Sequence, residues 1–382
     1  MFYQQIYIQK NFILKKSNLL VVYIFTFTTI LFFTSCKNKL NILAPYKELI
    51  SVYAVLNPQD DYQFIRINKV FAGEGNAYDM AQNKDTINFP AGQLQVYLKR
   101  KVNGNYVPVS TSSSSTELYL RDTILYTQSG TFNKEQRFYY TNQKIYPSGV
   151  YELYIKDTKT NTTFTSSTVM IDSVKPGFTQ PLAPPYYPVP PDPNNPPYYY
   201  LDLSNLTVTR DVRFKSEPNA YMYEMYIQMH YVDSMIDHTT KAKYVENKYT
   251  AIFSTTLNGG EDMKFSYTSN QLLNTFYLSI LNKDNDPNIL FRRIVKFDYI
   301  IYAANYDYYV FLQSNMPSTS VAQDKPIYSN ISNGAVGIFA ARSRIHVSKH
   351  PSTSFISFLA TTKPFCNLNF LNYDGTPSPS CN

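Results

Sequence analysis

Tryptophan is absent from the 382 residues, glycine contributes only 12, histidine four and cysteine three, and charged side chains make up 16%. Each scarcity excludes something. With few glycines and no Gly-rich run between a strand and a helix, no loop is available to cradle a phosphate. His230, His238, His346 and His350 form no His-Glu-x-x-His pair, and no Gly-x-Ser-x-Gly nucleophile elbow occurs. His346 and His350 have the spacing of one helix face, but Pro351 and the flanking Arg342-Ser343-Arg344 point to strand and loop, where a lone histidine is a surface or packing residue. Asp284-Asn285-Asp286 opens like a calcium loop, yet Ile289 stands where the turn wants glycine and Val295 where a bidentate glutamate belongs. The acidic pairs Asp60-Asp61 and Glu261-Asp262 lie in turns, and spacing alone does not show two carboxyls facing one cleft. No catalytic residue, metal ligand or cofactor is therefore expected. The formal charge of +7 is spread without a basic tract, which argues against nucleic acid as a partner.

What the chain does have is tyrosine (36) and phenylalanine (25), in short runs that favour strands, and no long stretch of helical periodicity. Ile50 to Leu56 and Tyr62 to Phe71 flank an Asn-Pro-Gln-Asp-Asp turn, and Asn103-Gly104 marks a second hairpin. Further strands are expected at Glu117 to Leu125, Gln136 to Asn142, Gly149 to Lys156 and Thr162 to Met170. The fold class reads as all-β, with an N-terminal immunoglobulin-like or transthyretin-like sandwich over 49–174. Residues 175–200 hold three Pro-Pro pairs and form a linker or large loop. A second β-rich domain follows over 201–382, with short helices expected at Ser269 to Leu281 and Asn305 to Gln313. In the first helix Leu272, Leu273, Phe276 and Ile280 share a face. The tyrosines at 198–200, 221, 223, 226 and 231 are candidates for stacking on sugars or gripping a partner, set against ordinary strand filling.

The only long apolar run, Leu19 to Phe33, follows Lys10, Lys15 and Lys16 and ends in Thr34-Ser35-Cys36. Basic, apolar and small-residue regions in that order make a secretory signal, and about 15 apolar residues are too few to span a bilayer. Phe33-Thr34-Ser35-Cys36 resembles a bacterial lipobox of the loose Bacteroidota type, which implies a signal peptide over 1–35, a lipid on Cys36 and a tether over 36–48. Removal of residues 1–35 lowers the formal charge to about +4, because the three lysines go with it. The expected location is the outer membrane, lipid-anchored; Lys37 and Lys39 stand where an acidic export run would be, so the facing side stays open. In an oxidising compartment Cys366 and Cys381 are expected to pair, which contributes about 3 kcal/mol on a chain-entropy estimate. Four Asp-Ser/Thr-aliphatic triplets match a Bacteroidota O-glycosylation sequon and make Thr86, Thr123, Ser173 and Ser234 candidates.

The run Ser329-Asn330-Ile331-Ser332-Asn333-Gly334-Ala335-Val336-Gly337-Ile338-Phe339, preceded by Tyr308-Tyr309-Val310-Phe311-Leu312, resembles the Ser-Asn-Ile-x-x-Gly-x-Gly-Ile-Phe signature of a Bacteroidota cell-envelope lipoprotein family of unknown function. Two residues separate Gly334 from Gly337 where that pattern has one. The resemblance implies a binding or accessory protein associated with a TonB-dependent outer-membrane transporter. An adhesin or envelope scaffold is the alternative, and a glycan-active enzyme is third. Palmitate labelling of producing cells should tag the chain, and Cys36→Ser should abolish the label and free the chain from the membrane fraction; a label retained without Cys36 overturns the anchor.

Overall fold

The computed structural model describes residues 49–70, 76–127, 130, 132–171, 178–180, 200–283, 286–316 and 328–377. The signal segment, Cys36 and the tether lie outside them. The first half contributes β1 (Leu49–Leu56), β2 (Gln63–Val70), helices α1 (Ala77–Gln82) and α2 (Lys84–Ile87), β3 (Leu94–Val102), β4 (Asn105–Val107), β5 (Glu117–Tyr119), β6 (Arg121–Tyr126), β7 (Glu135–Thr141), β8 (Val150–Asp157) and β9 (Thr163–Val169). The second half contributes β10 (Phe178–Gln180), β11 (Tyr200–Leu201), β12 (Thr209–Lys215), β13 (Met222–Met235), β14 (Thr240–Lys248), β15 (Ile252–Phe253) and β16 (Asp262–Thr268). It ends with α3 (Ser269–Lys283), β17 (Ile289–Ala304), α4 (Tyr306–Asn315), β18 (Val336–Pro351) and α5 (Thr353–Thr361). The fold is all-β with a few short helices, as the composition predicts.

One ten-stranded sheet runs through both halves in the order β14-β13-β17-β18-β1-β2-β7-β6, with β11 beside β18 and β15 beside β13. All its main pairings are antiparallel except β18 with β1. Strict alternation gives each strand one apolar face. In the first half Val52, Ala54, Ile65 and Ile67 face Val96, Leu98, Leu153 and Ile155 of the five-stranded sheet β4-β3-β8-β9 with β5, closing a sandwich core. In the second half the same sheet face presents Tyr223, Met225, Ile227, Tyr299 and Ile301 to the small sheet β10-β12-β16 and to helices α3 and α5. Leu272, Leu273, Phe276 and Ile280 of α3 are all buried there, as their spacing predicts.

The first sandwich is not self-contained within 49–174. Ile331, Ala335, Phe339 and Ala341 complete its core, because the front of β18 (336–341) pairs with β1 while its rear (342–349) pairs with β17. The expected division into two domains thus becomes two cores sharing one strand. The linker boundary also shifts: Phe178–Gln180 pairs with β12, and Tyr200–Leu201 with the end of β18, while 181–199 lies outside the described residues. Residues 248–257, rich in strand-forming side chains, mostly form loop around β15, while the edge strand β14 shows little apolar alternation and helix α5 is capped by Ser352. His346 and His350 both lie on strand β18, as Pro351 and the flanking Arg342-Ser343-Arg344 suggest, and not on a helix face. Asn103 and Gly104 both take positive φ, as a two-residue hairpin turn needs.

The Ser329–Phe339 signature is a clamp at this junction. Asn330 donates through Nδ2 to the Phe339 carbonyl and accepts from the Phe339 amide through Oδ1, at 2.8 and 2.9 Å. Ser332 Oγ accepts from the Thr165 amide, and Ser166 Oγ donates to the Asn330 carbonyl, so the turn is tied to β9. Asn333 and Gly334 take left-handed φ. Gly337, at φ +120°, lies so close to β1 that a Cβ there would sit 1.9 Å from the Val52 carbonyl oxygen. Gly337→Ala should cost on the order of 4 kcal/mol or leave the chain insoluble. Gly104→Ala, which meets open space at φ +82°, should cost about 1 kcal/mol. Urea unfolding compares the two, and equal losses would sink the close-approach account.

Candidate functional site

The second face of the large sheet, opposite the cores, carries the polar and half-buried side chains of every strand. On β13 these are Glu224, Tyr226, Gln228 and His230; on β17 they are Lys296, Asp298, Ile300 and Tyr302; on β18 they are Arg342, Arg344, His346 and Ser348. Cross-strand register brings them together, since Glu224 stands opposite Tyr302, Gln228 opposite Asp298 and Glu246, and Ala304 opposite Arg342. Helix α4, capped by the Asn305 side chain, lies across β18 and β1 on this face, with the Phe311 ring 5.9 Å from that of Tyr53.

Between α4 and β14 the face sinks into a pocket of about 290 Å³ lined by Glu224, Tyr226, Gln228, Glu246, Tyr302, Tyr308 and Arg342. Tyr226 and Tyr302 meet edge to face at 5.6 Å, Arg342 lies over the Tyr302 ring at 5.2 Å, and Lys248 lies over Tyr226 at 5.4 Å. Lys248 pairs with Glu224 at 2.6 Å, and that hydrogen bond, before all other causes, raises the lysine pKa. Gln228 Nε2 donates to Glu246 at 2.7 Å. Burial raises the Tyr226 and Tyr308 hydroxyls, which keeps both as neutral donors. Among the described residues Arg342 Nε is buried without a hydrogen-bond partner, although Nη2 reaches Asp60 at 3.4 Å. Rigid aromatic walls with planar amide, carboxylate and guanidinium groups suit a small polar group, whether a free ligand or a side chain of a partner.

Next to this pocket lies an ionic cluster on Asp298. Lys296 Nζ reaches Oδ2 at 2.7 Å, His230 Nε2 lies 2.9 Å from Oδ2, His346 Nε2 lies 3.2 Å from Oδ1, and Ser348 Oγ donates to Oδ1. Burial alone would raise the Asp298 pKa, but the hydrogen bonds from Lys296, Ser348 and His346 outweigh it and hold it at about 2. Burial, ahead of the opposing pull of Asp298, lowers the His230 pKa. The Lys296 ammonium takes the place a cation would occupy, and no group of three His, Cys, Asp or Glu among the described residues is arranged to hold a metal ion.

Within β13 the tyrosines singled out in the sequence divide by parity, and Tyr221 precedes the strand. Tyr223 and Tyr231 are core residues, Tyr226 lines the pocket, and Tyr221 joins Phe253, Tyr306 and Tyr309 in an aromatic cluster with ring centres 5.0 to 6.1 Å apart. Tyr302, Arg342 and Glu246 were not singled out; the alternation of β17, β18 and β14 was their only signal, and its register needed the fold. Cys366 is disulfide-bonded, with its partner outside the described residues, where Cys36 and Cys381 both lie. Thr86 on α2 and Thr123 on the edge strand β6 are half-buried, and Ser173 lies outside the described residues. Ser234 is half-buried on β13, and its Asp233 is fully buried against Arg292 and Lys243.

No protein-family model matches the chain, and no curated protein matches it.

The Asp298 cluster sets an acid limit on stability. The folded carboxyl titrates near 2 against an ordinary 3.8, so its contribution, on the order of 2 kcal/mol, is complete above about pH 4 and lost as pH falls toward 2. His230, disfavoured as a cation, adds loss in the same direction below its ordinary 6.5. Asp298→Asn should lower stability at neutral pH by about that amount and flatten the segment between pH 4 and 2. Denaturant titrations across pH test this, and parallel profiles for the two chains would refute it.

Proposed function

We propose that the protein is a lipid-anchored binding component of the cell envelope, of the Bacteroidota lipoprotein family it resembles, working beside a TonB-dependent outer-membrane transporter. The observation that carries the binding role is the Tyr226–Tyr302 pocket on the open sheet face, where neutral hydroxyls, a partly unsatisfied guanidinium and two aromatic walls converge. The anchor rests on the basic, apolar and small-residue order that ends at Cys36. The transporter rests on the resemblance of the Ser329–Phe339 signature.

Catalysis draws less support from the same groups. Glycosidic cleavage needs one carboxyl held protonated beside a second, whereas Glu224 is bound to an ammonium and Glu246 accepts from an amide. A scaffold or adhesin role has one observation of its own. Tyr62 and Phe64 are exposed at the far end of the face and form a ladder with Tyr140, at 5.9 to 6.3 Å.

Cross-linking in intact cells, followed by purification of the native lipoprotein, should recover a β-barrel transporter. A chain carrying Tyr302→Ala and Arg342→Ala, at equal abundance, should recover several-fold less, because aromatic and arginine anchors dominate such contacts. No barrel from the wild type overturns the reading, and cell attachment lost on deletion with uptake untouched selects the scaffold.

A further inference from the structure

On the other side of α4 the open face holds a second, larger cavity of about 530 Å³, within the range of small-molecule sites. Tyr53, Val70, Ile87 and Phe132 give it apolar walls, and Arg66 and Lys69 of β2 supply its charge. The state of Arg66 is informative. It is half-buried, and burial alone lowers its pKa, with no opposite charge acting against that cost. Its partners are neutral amides: Nε donates to Asn68 Oδ1 and Nη2 to Gln136 Oε1, each at 2.6 Å. Both amides are oriented from behind, since Asn68 Nδ2 donates to the Ile87 carbonyl and Gln136 Nε2 to the Asn133 carbonyl. Their acceptor ends therefore turn to the guanidinium and hold its plane fixed, with Phe132 5.7 Å away. Lys69 reaches the Asp85 backbone carbonyl at 3.1 Å and lies over the Phe89 ring at 5.6 Å. Neither cation pairs with a carboxylate among the described residues.

A half-buried guanidinium normally has a carboxylate partner, because desolvation of a lone charge is costly. Here the protein spends two oriented amides on positioning the group, and no carboxylate among the described residues supplies the counter-charge. We propose that this cavity is a binding site for an organic carboxylate with an apolar body, its carboxylate on the Arg66 fork and its body against Tyr53, Val70, Ile87 and Phe132. The planar fork of arginine matches a carboxylate, and Lys69 adds positive potential at the rim. The site is separate from the Tyr226–Tyr302 pocket and requires no transporter.

Fluorescence titration of the purified full chain with 2-naphthoate and with its neutral counterpart 2-naphthamide tests the assignment. The acid should bind at least about tenfold more tightly than the amide, as a charge-assisted hydrogen-bonded contact implies. Arg66→Gln should remove that preference, Arg66→Lys should restore part of it, and Phe132→Ala should weaken both probes alike. Equal affinity of acid and amide for the wild type, or an acid preference that survives Arg66→Gln, overturns the proposal, as does failure of the acid to bind. Where Arg66→Gln lowers the unfolding temperature enough to compromise the comparison, the acid–amide ratio of the wild type and of Phe132→Ala decides by itself.

Discussion

The architecture depends on one close approach, the backbone of Gly337 on the Val52 carbonyl where β18 runs parallel to β1. Only a residue without Cβ, at a φ that L side chains rarely adopt, brings the strands to hydrogen-bonding distance there. Everything on either side follows from that contact. The front of β18 closes the first core with Phe339 and Ala341, and its rear closes the second with Ile345 and Val347. A single 16-residue strand thus makes the two cores one body. The Asn330 and Ser332 bonds hold the incoming turn so that the strand starts in the correct register. A slip of one residue would turn every apolar side chain of β18 to the wrong face.

The same alternation produces the functional surface. Once odd-numbered positions of β18 face the cores, Arg342, Arg344, His346 and Ser348 must face outward, and their neighbours on β17 and β13 follow by register. Helix α4 then divides the open face. On one side lies a tyrosine-walled polar pocket in which Glu224 is matched by Lys248, on the other an apolar cavity whose arginine pairs with no carboxylate among the described residues. The difference is electrostatic more than geometric: Glu224 has Lys248, and Asp298 has Lys296 and two histidines, whereas among the described residues Arg66 has only amides.

Much was legible where a local rule was strong. The Asn103-Gly104 turn, the buried stripe of α3 and the Asn305 cap of α4 are each decided within a few residues by φ preference, by helical period or by a side-chain acceptor. Legibility failed where partners are distant. Residues 248–257 have strand-forming side chains but no neighbour to extend a ladder beyond β15; α5, with its Ser352 cap and buried Phe355, Leu359 and Ala360, is the opposite case, marked locally. The separation into domains at the proline-rich stretch was a sound reading of composition, and β18 overrides it because a strand can serve two cores without any local sign. The tyrosines show the same limit, since Tyr223 and Tyr226 are alike in sequence and opposite in fate.

By itself, then, the amino-acid order determined the all-β class, the hairpins, the faces of the longer helices and the expectation of a lipid at Cys36, because each depends on neighbours a few bonds away. Only the tertiary structure decided that the Ser329–Phe339 signature is a clamp, that Glu224, Tyr302 and Arg342 share a pocket, and that the Arg66 guanidinium is held by the amides of Asn68 and Gln136. Those properties are sums over residues from four or five strands. The parallel β18–β1 register that assembles them is set by one steric contact, between Gly337 and Val52, far apart in the chain.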